Sequence, residues 1–399
     1  RYLGPEEFGI LTYSQSFVYL FSAIAGLGLD QIVVKKLVDY PTKRNEILGT
    51  TFVLKLVGFL LMFFLLWFSL NLISKDRFTN KIVLIIGASI LFQSFNGIDF
   101  YFQSKVNSKY TVYVNIFVTI TAGLIKVILI LYNYPLLYFA YVFVLETLLI
   151  ALGYLFYYHY LKFSIYLWKF KFKIAKQLLS KSWMLVIGSI AASLYMKIDQ
   201  VMIKEFLGAE STGFYGAAVK LCNVWLFVTI IITQSVFPKI VSLKKSNQQL
   251  YIDRLQQLYD FLLKIAIFAS ILYTLFSDYL IIFLFGEEYI ESSKVLVIYI
   301  WSIVFVFLSN ASWGFYLNEK LEKFASIRLI FGAIINVLLN LLFINKYGLL
   351  GAAYATLISY SISGYLINIL FKRTRQNFWL QTKSFINLFN YKTWTKPIR

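Results

Sequence analysis

One apolar run occupies Ile47–Ile73 and reads ILGTTFVLKLVGFLLMFFLLWFSLNLI, with Lys55 as its only charge. About 20 such residues in a helix span the hydrocarbon core of a bilayer, and a continuous run without alternation is typical of a helix and not of a barrel strand. Similar runs recur throughout the 399 residues, which are 59% hydrophobic and 14% charged. A soluble chain of this length would need more charge to cover its surface. The sequence therefore predicts an all-α polytopic membrane protein.

Hydropathy windows of about 19 residues predict eleven membrane-spanning helices. They lie near 8–29, 47–73, 82–104, 111–132, 136–158, 183–205, 213–238, 259–284, 294–317, 324–345 and 349–371.

The basic residues are distributed unevenly over the connecting segments. Lys and Arg number 38 against 19 Asp and Glu. Connections on one predicted side of the membrane carry 25 basic residues, and those on the other side carry five. The side with 25 is predicted to be cytoplasmic, together with the C-terminus. The net charge of +19 is explained by this bias, and we expect no nucleic-acid partner. An odd number of spans places residue 1 outside, and the chain begins without Met, so we expect a further helix upstream.

Two halves of the chain repeat one another. Leu3–Gly9 and Leu207–Gly213 share the pattern L-G-x-E-x-x-G at an offset of 204. A second echo relates Tyr134–Tyr141 to Tyr347–Tyr354, and a third relates 100–105 to 315–320. Ordered offsets of this kind indicate homologous halves. The span before the second L-G-x-E motif would have its counterpart before residue 1, so the pattern predicts twelve helices in two parallel six-helix repeats, of which eleven are present.

The repeat defines the predicted domain organisation. An N-terminal helical bundle covers 1–158, a C-terminal six-helix bundle covers 183–371, and a basic cytoplasmic tail covers 372–399. The basic amphipathic linker 159–182 is typical either of an element on the anionic inner leaflet or of an ordinary cytoplasmic loop.

Six ionisable residues lie deepest in the predicted spans, where a charge costs about 2.5 to 3.5 kcal/mol and usually faces a cavity or a partner. They are Lys55, Lys126, Glu146, Lys197, Asp199 and Lys220. Six others lie nearer the span ends, where snorkelling suffices: Asp99, Lys204, Glu205, Lys264, Asp278 and Arg328.

Four of the deep charges are lysines, which favours an anionic cargo such as a diphosphate. Lys55 has no acidic residue at i±3 or i±4, so it is a better candidate for cargo binding than Lys197, which is two residues from Asp199. Glu146 and Asp199 are candidates for ion or proton coupling, and a salt bridge from Glu146 to Lys126 or Lys55 is the alternative.

Three segments carry a resemblance to a known family. They are YLGPEEFGILTYSQSF at 2–17, GLGLDQIVVKKLVD at 26–39 and YMKIDQVMIKEFLGAESTGFYGAAVKL at 195–221. Nearly the whole chain resembles Wzx-type O-antigen and polysaccharide-unit flippases, which belong to the multidrug/oligosaccharidyl-lipid/polysaccharide (MOP) exporter superfamily. The absent first helix is the main departure.

The resemblance implies two bundles around a central cavity, alternating access and no cofactor. It also implies an undecaprenyl-diphosphate-linked oligosaccharide as cargo, moved from the cytoplasmic to the periplasmic leaflet of the bacterial inner membrane. Membrane lipid, an O-antigen polymerase and a chain-length regulator are the further partners it allows.

Two other classes of protein compete with a flippase. A membrane-integral polysaccharide polymerase would need a large outside loop, and every predicted outside loop is short. A multidrug cation antiporter would need an acidic cavity, whereas the deep charges here are biased toward lysine. The single cysteine, Cys222, and the single histidine, His159, predict neither a disulfide nor a zinc site. We therefore expect a transporter and not an enzyme.

Overall fold

The computed structural model describes residues 1–73 and 76–388, and within these ranges the chain is helical without strands. The helices are α1 Gly4–Gly26, α2 Asp30–Asp39, α3 Arg44–Ile73, α4 Arg77–Ser89, α5 Gly97–Ser104, α6 Lys109–Leu131, α7 Leu136–Tyr160, α8 Phe172–Leu207, α9 Ala209–Ser246, α10 Gln248–Leu275, α11 Ser277–Phe285, α12 Glu291–Tyr299, α13 Ser302–Asn318, α14 Glu322–Gly364 and α15 Arg375–Asn387. Short 3₁₀ turns occupy Pro41–Lys43, Ile90–Asn96, Ile165–Leu167, Glu287–Tyr289 and Leu366–Ile369.

Ten helical segments of the described residues are long and apolar enough to cross a membrane. The prediction of an all-α polytopic membrane protein is therefore confirmed. Several crossings consist of two consecutive helices; α4 and α5, for example, are joined by the 3₁₀ turn within the segment Arg77–Ser104. The predicted count of eleven spans and the twelfth expected upstream stay predictions.

The last of the ten segments, Lys323–Ile369, folds back on itself. Gly348 has φ 58° and ψ −137°, outside the helical region, and it divides α14 into two arms. The amide Nδ2 of Asn336 on the first arm donates to Oγ of Ser359 on the second at 3.0 Å. In one straight helix these residues would lie about 35 Å apart. The two arms are therefore antiparallel, and they correspond to the predicted spans 324–345 and 349–371.

The chain divides into two compact units. One unit contains Ile10–Ile198, and the other contains Leu3–Gly9 together with the chain from Asp199 onward. In the first unit, side chains from α2, α3, α5, α7 and α8 form a core that excludes solvent; its members include Leu29, Val33, Ile47, Phe102, Tyr158 and Leu178. The predicted bundle and tail boundaries at 158, 183 and 371 stay predictions.

The predicted linker packs against α3 in the structure. The backbone of Lys169 runs so close to Gly49 that a Cβ on the glycine would lie 2.6 Å from the Lys169 nitrogen. The backbone N–H of Lys171 donates to Oγ1 of Thr50 at 3.0 Å. Residues from Phe172 onward then continue as the long helix α8.

Candidate functional site

A sharp break between α1 and α2 positions the first functional side chain. Leu27 and Gly28 have φ of 51° and 58°, so the chain leaves the helical path for two residues. A Cβ on Gly28 would lie 2.9 Å from Cβ of Leu185 on α8, which explains why a glycine stands at this crossing. Helix α2 then begins at Asp30, whose carboxylate lies at the positive end of the helix dipole.

Lys55 on α3 is paired with this carboxylate. Its ammonium Nζ lies 3.2 Å from Oδ1 of Asp30 and 4.6 Å from the centre of the Phe100 ring. The two partners differ in environment, because the Lys55 side chain is 6% exposed and that of Asp30 is 63% exposed. Lys55 therefore has an acidic partner on another helix, although it has none at i±3 or i±4 on its own helix.

Lys55 and Asp30 line a cavity of about 520 Å³ within the unit Ile10–Ile198. The cavity is bounded by α1, α2, α3, α4 with the following 3₁₀ turn, and α8. Neutral polar side chains make up much of its wall, among them Gln15, Ser22, Ser89, Gln93, Asn96 and Ser193. Its volume lies in the range of small-ligand pockets, about 300 to 1,000 Å³.

The chemistry of this wall suits a polar anionic headgroup. A buried ammonium is a strong point charge with three donors, and amide and hydroxyl groups donate to the oxygens of a phosphate or a sugar. We therefore call the cavity with Lys55 and Asp30 the headgroup cavity. Within the described residues, no group of three or more His, Cys, Asp or Glu side chains is placed to hold a metal ion.

Lys126 and Glu146 form an ion pair between α6 and α7. The ammonium Nζ and the carboxylate Oε1 are 2.5 Å apart, with the side chains 35% and 25% exposed. The Lys126 ammonium also lies 5.0 Å from the centre of the Phe143 ring. The structure thus pairs Glu146 with Lys126, one of the two salt-bridge partners that the sequence offered, while Lys55 pairs with Asp30.

Asp199 lies in the other unit and is held by hydroxyl groups. Its carboxylate is 4% exposed and accepts a hydrogen bond from the Tyr215 hydroxyl at 2.6 Å. The Thr356 hydroxyl lies 3.1 Å from that of Tyr215 and 3.4 Å from the carboxylate. Lys197, two residues earlier, is half-buried.

Two further cations have unequal surroundings. Lys220 on α9 is exposed, with its ammonium 5.4 Å from the centre of the Phe8 ring.

Arg328 was expected to snorkel from a span end, yet its side chain is 6% exposed. One guanidinium nitrogen donates to the Ser309 carbonyl at 3.3 Å, while its other two nitrogens have no hydrogen-bond partner among the described residues. The expectation for Arg328 is wrong because neighbouring helices cover the position.

Asp30 is not among the residues predicted from the sequence, because the predicted span ends at residue 29 and leaves Asp30 in a loop. The signal in the sequence that points to Asp30 is an acidic residue at the predicted cytoplasmic end of a neighbouring span. Lys55 lies eight residues inside its own predicted span, about 12 Å along the helix.

The fold matches solved structures of one superfamily. An inward-facing MATE family multidrug resistance transporter of the MOP superfamily aligns with a TM-score of 0.71 at 12% identity, covering 96% of this chain and 93% of the other. The lipid II flippase MurJ in its inward closed conformation aligns with a TM-score of 0.69 at 16% identity, covering 100% of this chain and 88% of MurJ. The molecule is therefore a multi-pass membrane protein with the MOP fold.

Sequence comparison then places the chain in a family. The model of the polysaccharide biosynthesis protein family matches residues 1–244, and the chain belongs to this family. The probable low-salt glycan biosynthesis flippase Agl15 of Haloferax volcanii is 28% identical over 209 residues. That alignment covers 51% of this chain and 43% of the archaeal protein. The recognition of a MOP-type polysaccharide protein from sequence is confirmed.

Proposed function

We propose that this protein is a flippase that moves a lipid-linked oligosaccharide across the membrane by alternating access. Its cargo is an undecaprenyl-diphosphate-linked O-antigen repeat unit, carried from the cytoplasmic to the periplasmic leaflet of a bacterial inner membrane. Membership of the polysaccharide biosynthesis protein family and similarity to a probable glycan biosynthesis flippase support a glycan cargo. An O-antigen polymerase and a chain-length regulator are its proposed partners.

The headgroup cavity is the observation that carries this proposal. Lys55 provides a buried positive charge that meets the diphosphate, and the amide and hydroxyl groups around it meet the sugar and the remaining phosphate oxygens. Lys126, Lys197 and Lys220 are proposed as secondary cations along the path of the cargo.

The MATE transporters of the same fold supply the second candidate, a multidrug cation antiporter. An antiporter for organic cations requires a carboxylate that is available to the drug. In the headgroup cavity the carboxylate of Asp30 is engaged by Lys55, and a lysine in the wall repels cations. These charges favour an anionic cargo. A polymerase, the enzymatic alternative, receives no support from the relatives, whose names describe flippases and transporters.

Asp199 is the better of the two proposed coupling acids. The carboxylate of Asp199 is buried and accepts hydrogen bonds from the Tyr215 hydroxyl and the Gln200 backbone N–H. The side chain of Glu146 is 25% exposed and pairs with Lys126 at 2.5 Å. An ionisable group buried within a membrane span is costly and marks an ion or proton pathway. We infer that Asp199 couples transport to an ion gradient.

The experiment is a lipopolysaccharide ladder gel from a deletion strain complemented with wild type or Lys55→Ala. For a flippase, the deletion removes the ladder and the single-unit band, while repeat units stay on the inner lipid carrier. Lys55→Ala should restore less than a tenth of the wild-type ladder at equal expression, because about 1.5 to 3 kcal/mol of charged hydrogen bonding is lost. Lys162→Ala, an exposed lysine in the turn after α7, is the control and should restore the ladder. A single-unit band alone would indicate a polymerase, and an unchanged ladder would contradict the proposal.

A further inference from the structure

We propose that Asp30 competes with the cargo for Lys55. The Asp30 carboxylate lowers the affinity of the headgroup cavity for a diphosphate and thereby permits release of the diphosphate. This inference rests on the proposed function of the same cavity. It assigns a role to a residue other than the four lysines proposed to bind the cargo. The ion pair at 3.2 Å occupies the positive charge that an anionic cargo would use. The cargo and the Asp30 carboxylate therefore bind the Lys55 ammonium in turn.

The asymmetry of the pair makes this exchange feasible. Asp30 is 63% exposed, so water solvates its carboxylate again when the ion pair opens. Lys55 is 6% exposed and stays against the Phe100 ring, so its charge always needs a counter-ion. The lysine is thus the fixed member of the pair, and the carboxylate is the member that leaves.

The partners also belong to different backbone segments. Asp30 is the first residue of α2 and follows the break at Leu27 and Gly28, while Lys55 is in the interior of α3. A shift of α2 would separate the two groups without moving the lysine. The neighbouring carboxylate of Asp99 does not replace Asp30 as the competitor, because the side chains of Gln103 and Thr111 donate to its two oxygens.

A transporter needs a site that binds its cargo and then releases it. A buried lysine without a resident carboxylate would hold a diphosphate tightly, since charge-assisted hydrogen bonds strengthen away from water. Asp30 makes the free energy of diphosphate binding less favourable by the free energy of the Asp30–Lys55 ion pair, because that ion pair must open first. It also supplies a replacement anion at the moment of release, so the buried charge is never left alone.

The test separates affinity from turnover in the full chain. Wild type, Asp30→Asn, Asp30→Glu and Lys55→Ala are purified in nanodiscs, and binding of farnesyl diphosphate is measured by titration calorimetry. Turnover is measured in proteoliposomes from the rate at which an NBD-labelled prenyl diphosphate becomes accessible to dithionite. Asp39→Asn, an exposed acid at the other end of α2, is the matched control.

Asp30→Asn should bind farnesyl diphosphate about threefold to tenfold more tightly and turn over more slowly, while Asp30→Glu and Asp39→Asn stay near wild type. A purely structural role for Asp30, in which it orients Lys55, predicts weaker binding in Asp30→Asn, and that result would overturn the inference. If Lys55→Ala weakens binding but Asp30→Asn does not tighten it, the inference fails and the proposed function stands. If wild type and Lys55→Ala bind the probe equally, the headgroup cavity itself is wrong.

Discussion

The deep charges of this protein lie in different surroundings. Lys126 and Glu146 neutralise each other, and the buried ammonium of Lys55 is compensated by an exposed carboxylate. The buried carboxylate of Asp199 accepts hydrogen bonds from the Tyr215 hydroxyl and the Gln200 backbone N–H. Breaking an ion pair in a low-dielectric interior leaves an unpaired charge, whereas protonating a carboxylate held by hydroxyls removes one. We therefore expect the carboxylates of Glu146 and Asp199 to serve different purposes.

Asp199→Asn and Glu146→Gln test this distinction. Both keep the size of the side chain and remove its charge. We expect Asp199→Asn to abolish the dependence of transport on a proton or sodium gradient, because the exchangeable charge is gone. Glu146→Gln should keep the dependence and lower the melting temperature, because Lys126 loses its counter-ion. Flux assays in proteoliposomes under imposed gradients measure the first effect. A Glu146→Gln variant that loses gradient dependence would reverse the assignment.

The L-G-x-E-x-x-G repeat marks two equivalent helix starts that cross each other. Gly4 and Gly208, the leading glycines, have φ of 62° and 92° and open α1 and α9 in the left-handed region. The final glycines form the crossing: a Cβ on Gly9 would lie 1.8 Å from the Ala209 carbonyl oxygen, and one on Gly213 would lie 1.9 Å from that of Pro5. Ala209 and Pro5 are themselves equivalent at the offset of 204, so the crossing is pseudo-symmetric. Backbone contact of this kind requires glycine at both positions.

Glycine-to-alanine substitutions should change stability in opposite directions at different sites. Gly9→Ala and Gly213→Ala insert a methyl group into a carbonyl oxygen and should cost about 1 to 3 kcal/mol by overpacking. Gly123→Ala on α6 is the control, because nothing lies within 4 Å of its Cβ position. There alanine should stabilise by up to about 1 kcal/mol through helix propensity. Melting temperatures in detergent measure both effects. Equal shifts at positions 213 and 123 would mean that the crossing does not constrain the helices.

The predicted sidedness of the chain depends on its basic residues and on the hairpin at Gly348. With two arms in α14 and the other predicted spans as counted, we expect the C-terminus on the same side as the basic connections, which the positive-inside rule predicts to be cytoplasmic. With a single crossing there, the basic tail would lie outside. The topology near residue 346 therefore decides between the two arrangements.

Single cysteines introduced into a Cys222→Ala background test the topology. Cys222 is the only cysteine in the sequence and is buried, so its replacement leaves a background without a thiol that reacts with maleimide. Cysteines at Asn133 and Lys346, both exposed, should react with a membrane-impermeant maleimide in intact spheroplasts. Cysteines at Lys162 and Lys320 should react only after permeabilisation. Protection of position 346 under both conditions would contradict the two-arm topology and the cytoplasmic C-terminus.

Hydropathy and the low content of charged residues predicted the fold class, and the three segments that resemble a known family predicted the superfamily. They could do so because the bilayer imposes its length and polarity on each span independently of the neighbouring helices. The predicted depth of Lys55, Lys126 and Asp199 rests on the same reason and stays a prediction. Their partners did not follow from it, because a partner on another helix depends on how helices pack, and packing leaves no periodic trace in one chain. Asp30 beside Lys55, the covered guanidinium of Arg328 and the contact of two distant glycines were therefore decided by the tertiary structure.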